Sequence, residues 1–264
     1  MKLLSITIIA LTILWNSTST VCALDKKPSP KLAKLMQKMD QATDPQHQAN
    51  KITNQIFVFE VELAMAQIKF NNTTILKAPN KRKMITTIPN MMTETEVFDG
   101  KVGWKSNSRM GFQQITGPAL QFLKYTTISS NTIRFEDKFK TIELAKETFT
   151  IDGRKCYKLT CYPPTEYNLT PQIIYIDTKK YLTRRVEMVV VSSMGEVPST
   201  ANIIEYKKFA GFNLPSKMQM TQMGMNVQMT LISFKINQEV SDSEFAKPTN
   251  DTSSLRSPNA NSKE

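Results

Sequence analysis

The sequence contains little histidine, cysteine and glycine for its length, and each scarcity narrows the possible functions. Its 264 residues include one histidine, His47, three cysteines and eight glycines. A Ser-His-Asp triad therefore has a single candidate base, and the sequence has no GxSxG, HExxH, Walker or dinucleotide-binding glycine motif. We expect no catalytic residues, no metal site and no cofactor, and hence a protein that is not an enzyme.

Two of the cysteines, Cys156 and Cys161, lie in the segment "CYKLTC". In an extended strand this separation spans about 16 Å and directs the side chains to opposite faces, whereas a disulfide needs Cα atoms within about 7 Å. A local disulfide is disfavoured, and the pattern favours two small packed side chains. His47 is too distant in sequence to complete a zinc knuckle with them.

The third cysteine, Cys22, belongs to an N-terminal segment with the layout of a secretory signal peptide. Lys2 precedes an apolar run from residue 3 to 15, and Val21 and Ala23 suit cleavage after Ala23. Val21 occupies a position where a lipid-attachment signal has a smaller residue, so we expect Cys22 to be removed rather than lipidated. The apolar run is shorter than the roughly 20 residues of a membrane-spanning helix, and we expect an exported protein.

Positive charge exceeds negative charge along the chain, with a formal net charge of +11. Such a surface favours anionic partners, either a membrane surface or an envelope protein, or serves only to keep the protein in solution. The basic residues are scattered, and the densest cluster, at residues 80–83, has no interleaved aromatic residue. We therefore expect no nucleic-acid partner.

Hydrophobic spacing predicts one helix followed mainly by strands. Ser29 and Pro30 form an N-terminal capping signal, and apolar residues then recur at helical spacing up to the "DPQ" segment at residues 44–46. From residue 51 the period changes to two, which predicts a long strand whose apolar face ends at Met65. Further short strands are predicted, with breaks at "NNTT", "APNK", "IPNM" and "FDGK", and with a second helix near residues 117–125.

These signals predict one domain of the mainly β (α+β) class, built on an antiparallel sheet with a few helices. The predicted boundaries are a signal peptide at 1–23, the domain at 24–246 and a tail at 247–264. The tail contains almost no apolar residue, so we expect it to be disordered.

The window 217–230, "KMQMTQMGMNVQMT", contains five methionines. A two-residue turn at Met223 and Gly224 would pair residue 220 with 227 and residue 218 with 229, placing apolar side chains on one face and polar ones on the other. Thioethers of this kind can form an adaptable cavity wall, fill an ordinary core or select Cu(I). The sequence leaves these three possibilities open.

An ordered series of segments resembles the outer-membrane lipoprotein-sorting branch of the LolA/LolB-like (lipoprotein localisation factor) superfamily. The segments are "LKAPNKRKM", "VFDGKVGWKSNSRMGFQQITGPALQFL", "IDGRKCYKL", "IIYIDTKKYLTRRVE", "EYKKFAGFNLPSKMQM" and "SDSEFAKP", and the resemblance covers residues 32–248. It implies a curved antiparallel sheet that forms an incomplete barrel, with helices lidding its apolar concave face. It also implies a periplasmic, non-enzymatic carrier or chaperone for the acyl chains of a lipoprotein or lipid.

Combined with the strand pattern, the resemblance yields two candidate sets. The candidate cavity wall consists of Phe57, Phe59, Val61, Leu63, Met218, Met220, Val227 and Met229, and the candidate lid of Leu32, Leu35, Met36 and Met39. The alternatives are an envelope sensor or structural interaction module with the same fold and a methionine-rich Cu(I) binder. No arginine can be matched to the one that holds the lid in the well-studied carriers, although Arg184 and Arg185 lie on a predicted strand.

Overall fold

In the part of the chain that the structure describes, thirteen antiparallel strands form one curved sheet, and two α-helices accompany it. The computed structural model describes residues 28–108, 111–131, 135–192 and 195–247. The predicted signal peptide and the predicted tail beyond Lys247 lie outside the described residues. The predicted fold class is confirmed.

The elements follow the chain in this order: α1 (Pro30–Thr43), β1 (Asn54–Leu63), β2 (Ile68–Lys77), β3 (Lys81–Ile88), β4 (Met92–Phe98), β5 (Gly103–Asn107), β6 (Gly111–Ile115), α2 (Gly117–Asn131), β7 (Thr141–Ile151), β8 (Arg154–Tyr162), β9 (Gln172–Asp177), β10 (Thr183–Ser192), β11 (Gly195–Phe209), β12 (Phe212–Gln222) and β13 (Met225–Ile236).

The sheet consists of two meanders joined side by side. Strands β1 to β6 pair consecutively, as do β7 to β13, and the only pairing between the described parts of the two meanders joins β1 to β13. Strands β6 and β7 are therefore the two edges of the sheet, although they follow one another in sequence. The segment between them has to pass from one edge to the other.

Helix α2 makes that passage on the concave side. It contacts β2 and β3 in one meander and β10 in the other. Leu123 packs directly on the backbone of β5 at Gly103. A Cβ atom on Gly103 would lie only 2.8 Å from the Cδ2 atom of Leu123. The glycine thus allows the helix to approach the sheet closely.

Helix α1 begins and ends where the sequence predicts. The Ser29 hydroxyl accepts a hydrogen bond from the Leu32 amide at 3.3 Å, Pro30 occupies the first turn, and Asp44 caps the C-terminus. The four apolar residues of its predicted inner face are all buried. A capped helix with one apolar stripe is suited to lie on an apolar surface.

Two-residue hairpin turns help to set the register of the second meander, and two of them lie where the sequence predicts. Asp152 and Gly153 connect β7 to β8, and Met223 and Gly224 connect β12 to β13. All four residues have positive φ, the geometry of two-residue turns that match the twist of the strands. The predicted pairing of residue 220 with 227 and of 218 with 229 is confirmed.

Two strand boundaries in the first meander were predicted wrongly. Strand β1 ends at Leu63, and Met65 lies in a 3-10 turn with 88% of its surface exposed. The "NNTT" segment does not break the chain but lies inside β2. Its Asn72 side chain donates a hydrogen bond to the Thr86 hydroxyl at 2.8 Å, so the buried amide is satisfied within the sheet.

Both described cysteines are free and buried. Cys161 belongs to the main core, whereas Cys156 packs with Ile151 and Tyr175 on the opposite face of the sheet. The predicted separation of the two thiols is confirmed. Burial raises the pKa of both, which keeps the thiols protonated and unreactive.

The C-terminal segment is fastened to the outer face of the first meander. Asp242 forms ion pairs with Lys77 at 2.7 Å and Lys81 at 2.8 Å. Lys247, the first residue of the predicted tail, lies 4.5 Å from the centre of the Trp104 ring. The helices and this segment therefore cover different faces of the sheet.

Candidate ligand-binding site

The structure brings all eight candidate cavity-wall residues together on the concave face. Strand pairing places Val61 opposite Met229 and Leu63 opposite Val227. Met229 in turn pairs with Met218, and Val227 pairs with Met220. All eight side chains are buried and belong to one hydrophobic core. We call these eight residues the apolar face.

The apolar face is part of a longer hydrophobic surface. A single line of directly paired residues crosses eight strands from β7 to β1: Leu144, Leu159, Ile174, Val186, Ala201, Met220, Val227 and Leu63. At about 4.8 Å between neighbouring strands, the line extends for about 34 Å along the curved sheet. The concave surface of the second meander thus offers a continuous apolar path.

The five methionines of the 217–230 window do not form one cluster. Met218, Met220 and Met229 face inward, whereas Met223 lies in the hairpin turn with 53% of its surface exposed. Among the described residues, no group of three or more His, Cys, Asp or Glu side chains could hold a metal ion. The arrangement agrees with thioethers acting as packing groups, and Cu(I) binding stays a prediction.

Helix α1 covers the apolar face. Its candidate lid residues Leu32, Leu35, Met36 and Met39 belong to the same hydrophobic core as the apolar face, and the helix contacts β12. The side chains of the protein itself therefore occupy the space next to the apolar face. A ligand could reach this face only by displacing them.

Two polar contacts in the C-terminal half of α1 attach it to the β9–β10 turn and to β12. Lys38 donates a hydrogen bond to the Tyr181 hydroxyl at 2.8 Å and lies 4.4 Å from the centre of the same ring. Asn213 of β12 donates a hydrogen bond to the carbonyl of Ala42 at 2.6 Å. These partners are more than 140 residues apart in sequence, and no local pattern predicts them.

Helix α2 adds a second cover. Phe122, Leu123 and Tyr125 are buried, and the Tyr125 ring packs against Tyr167 with centroids 5.4 Å apart. The sequence predicted this helix and its apolar residues. It did not predict that the helix bridges the two meanders.

A buried lysine lies between the two covers. Lys138 ends the 3-10 turn Phe135–Lys138 that follows α2, and this turn contacts α1. Burial lowers the pKa of Lys138 to about 7, while the negative charge of Asp40 on α1 opposes this shift. The junction between the covers therefore contains a group that titrates near neutral pH.

A small polar pocket of about 200 Å³ lies away from the apolar face, at the rim formed by the β9–β10 turn and β11. Its lining consists of Arg154, Asp177, Lys180, Leu182, Arg184, Ile204, Glu205 and Tyr206. Asp177 accepts hydrogen bonds from the amides of Lys179 and Lys180. Asp177 thus holds the turn, and it also forms an ion pair with Arg154 at 3.7 Å.

Across the described residues, no helix is long and apolar enough to cross a membrane. The two helices that the structure does describe pack against the sheet.

Comparison with solved structures identifies the fold. An outer membrane lipoprotein-sorting protein domain from Vibrio parahaemolyticus superimposes with a TM-score of 0.52 at 12% sequence identity, over 80% of this chain and 94% of that one. A LolA superfamily protein from Nitrosomonas europaea gives 0.53 at 13% identity, over 81% and 97%. A DUF1329 family protein from Desulfovibrio piger gives 0.53 at 13%, over 88% and 100%.

The chain therefore has a LolA-like fold, as the sequence resemblance implied. A family model described as "Uncharacterized protein" matches residues 123–249. No curated protein matches the chain in sequence. At these identities the structural likeness establishes the fold alone, and the function has to be argued from the site.

The titration of Lys138 provides a test of the contact between the two covers. Replacing Lys138 with Met should raise the melting temperature by several degrees below pH 7, where wild-type protein buries a charged ammonium group. The folded-state pKa of about 7 lies below the usual value of 10.5. The melting temperature of the wild-type protein should therefore rise between these two pH values. The difference in melting temperature between Lys138→Met and the wild type should shrink over the same interval.

Thermal unfolding followed from pH 6 to pH 10.5 measures this difference. Lys34→Met, on the exposed side of α1, is the matched control and should show no such trend. An advantage of Lys138→Met that stays constant across the series would contradict the burial of a titrating lysine at this junction.

Proposed function

We propose that this protein is an exported, non-enzymatic carrier that binds the acyl chains of a lipoprotein or lipid between the apolar face and helix α1. The observation that supports this proposal is the covered apolar line across eight strands. A sheet that needed only a core could be covered by immobile elements. Here the cover is a short helix whose inner face consists of flexible Leu and Met side chains.

The free energy of the lid contacts is comparable to the free energy that a bound acyl chain would gain. Burying one aliphatic side chain contributes about 1.5–3 kcal/mol, so the four lid residues contribute about 6–12 kcal/mol. An acyl chain gains about 0.8 kcal/mol for each methylene it buries, and about 8 to 15 methylenes would therefore replace the lid contacts. Chains of this length could enter without binding irreversibly.

The methionines suit such an exchange. Their unbranched, polarisable side chains adapt to differently shaped partners. Met218, Met220 and Met229 line the sheet, while Met36 and Met39 belong to the helix. The same groups could pack against each other in the closed state and against a ligand in the open state.

The N-terminal signal and the fold support a periplasmic location. A secretory signal peptide at residues 1–23 would export the chain, and one structural neighbour is named for outer membrane lipoprotein sorting. The positive charge would favour approach to an anionic membrane surface or an acidic envelope protein. In this account the 24–246 domain acts alone, without cofactor or bond cleavage.

A sensor or structural interaction module with the same fold is the second candidate. The burial of Met36 and its neighbours favours it, since the space beneath α1 is filled by the protein itself. In that case α1 would be a fixed part of the core and the partner would bind an outer surface. The two candidates differ in what weakening the lid does to ligand uptake.

Met36→Ala separates the two candidates. Deleting a buried Met side chain costs about 2–5 kcal/mol. The closed, ligand-free state bears this loss in full because Met36 is buried there, whereas the ligand-bound state loses only the contact that Met36 makes with the ligand. If about 1.4 kcal/mol of this loss shifts the equilibrium from the closed to the open lid, the apparent affinity for an apolar fluorescent probe should rise about tenfold. Gln37→Ala, on the exposed side of the same helix, should leave uptake unchanged.

A fixed core element predicts a different result. Met36→Ala would then lower the melting temperature without increasing probe uptake, and the carrier proposal would fail.

Met220→Asp tests the opposite wall of the site. An unpaired charge is costly in an apolar environment, so uptake of the probe should fall by at least about tenfold because the charge lies where the chain would pack. Gln219→Asp places the same charge on the exposed face of the same strand and should bind the probe normally. Far-ultraviolet circular dichroism checks that both variants retain the sheet, and normal uptake by folded Met220→Asp would show that the apolar face is not the binding surface.

A further inference from the structure

The concave surface of the first meander carries a band of polar residues that continues the apolar face without a break. Phe59 of β1 pairs with Asn72, Asn72 with Thr86, Thr86 with Glu94 and Glu94 with Asn107. The adjacent line runs from Phe57 through Thr74, Met84 and Glu96 to Lys105. Directly paired residues share one face of a sheet, so these polar side chains lie on the same side as the apolar face.

We call the following inward-facing residues of β2 to β5 the polar face: Asn72, Thr74, Arg82, Thr86, Glu94, Glu96, Lys105 and Asn107. Nearly all are buried, and Arg82 is only 1% exposed. Helix α2 contacts β2 and β3 and packs on Gly103 of β5. The polar face thus lies partly beneath the second cover.

Two charge pairs dominate the polar face. The Lys105 Nζ atom lies 3.1 Å from the Glu94 Oε2 atom, and the Arg82 Nη2 atom lies 3.7 Å from the Glu96 Oε1 atom. Two cations and two carboxylates leave the face without net charge. Burial raises the pKa of Glu94, although Lys105 opposes this shift.

The pair at Arg82 is incompletely satisfied. Its Nη2 atom approaches the Met84 sulfur at 3.4 Å, a weak acceptor. Its Nε atom is buried and has no hydrogen-bond partner among the described residues. A buried guanidinium normally has a full set of acceptors, and a missing one carries a large desolvation penalty.

The amides and hydroxyls beside it are better matched. Asn72 donates to Thr86 at 2.8 Å, and Thr74 donates to Asn72 at 3.2 Å. These contacts show that the polar face is built to bury polar groups. Among the described residues, the Nε donor of Arg82 therefore lacks an acceptor in a network whose amides and hydroxyls are hydrogen-bonded.

We infer that the polar face binds the zwitterionic head group of an amphiphile whose chains lie on the apolar face. An anionic oxygen of the head group would accept from Arg82, and its cationic group would meet Glu94 or Glu96. The absence of net charge disfavours a head group with net charge of either sign. This inference rests on the proposed function, because the chains need the apolar face.

The arrangement also orients the ligand. About four inter-strand steps, roughly 19 Å, separate Phe59 from the far edge of the polar face at Asn107. The head group would lie beneath α2 and the chains beneath α1. Each cover would then contact a different part of the same molecule.

Lipids with identical chains and different heads test this inference. Binding of short-chain phosphocholine, phosphoglycerol and uncharged maltoside amphiphiles would be measured by displacement of the apolar probe from the full protein. We expect phosphocholine to bind about tenfold more tightly than the other two, as expected for a charge-assisted hydrogen bond. Free phosphocholine, which lacks chains, should bind far more weakly; equal binding would indicate a soluble ligand and contradict the inference.

Single-charge variants should alter the preference in opposite directions. Glu94→Gln gives the polar face a net positive charge and should shift the preference toward phosphoglycerol. Lys105→Gln gives it a net negative charge and should weaken phosphoglycerol binding further. If the polar face only stabilises the fold, both variants should change in melting temperature while their relative affinities for the amphiphiles stay as in the wild type.

The double variant Arg82→Met/Glu96→Leu removes one buried pair without leaving an unpaired charge. It should bind the probe as wild type does but bind all three amphiphiles equally. Lys69→Met/Glu62→Leu, which removes the exposed pair at 3.2 Å, is the matched control and should keep the phosphocholine preference. If the double variant does not fold, Arg82→Lys, which keeps the charge and removes the Nε donor, should lower the preference severalfold.

The outcomes separate the inference from the proposed function. Tight probe binding with equal affinity for the three wild-type amphiphiles would overturn the head-group site and leave the carrier intact. Failure to bind the probe or any amphiphile would overturn both.

Discussion

The dominant constraint on this structure is that its two edge strands do not pair with each other. A curved sheet that closed into a barrel would bury its concave side chains by itself. Because β6 and β7 lie at opposite ends of the sheet order, the concave surface needs a cover. The chain provides one with α2, which joins the two edges, and with α1, which precedes the first strand.

This way of covering the surface has a consequence for stability. The contacts between the helices and the apolar face contribute to the same core that holds the sheet together, yet the backbone hydrogen bonds of the strands do not depend on them. The polar groups that attach the covers include Lys38, Asn213 and the buried Lys138. In the proposed carrier, such a cover would move while the sheet stays intact.

The sequence predicted those parts of the fold that depend on neighbouring residues. The cap at Ser29, the alternation along β1 and the turn at Gly224 are local, and the pairing of β12 with β13 follows once the turn is placed. The segment "NNTT" was predicted wrongly because Asn and Thr also favour turns, and only the partner Thr86 on β3 explains why they are buried in a strand. The polar face was not predicted for the same reason, since its charges meet only after β3, β4 and β5 have paired.

The central claim is that the protein carries lipid chains beneath its helices, and its most direct test is native mass spectrometry of the full protein purified from the envelope of its host. Organic extraction of the same sample identifies any bound molecule. The account predicts a stoichiometric mass increment that belongs to an acylated molecule and is lost when the lid is opened by detergent. A sample that has the mass of the polypeptide alone and takes up no added amphiphile would contradict it.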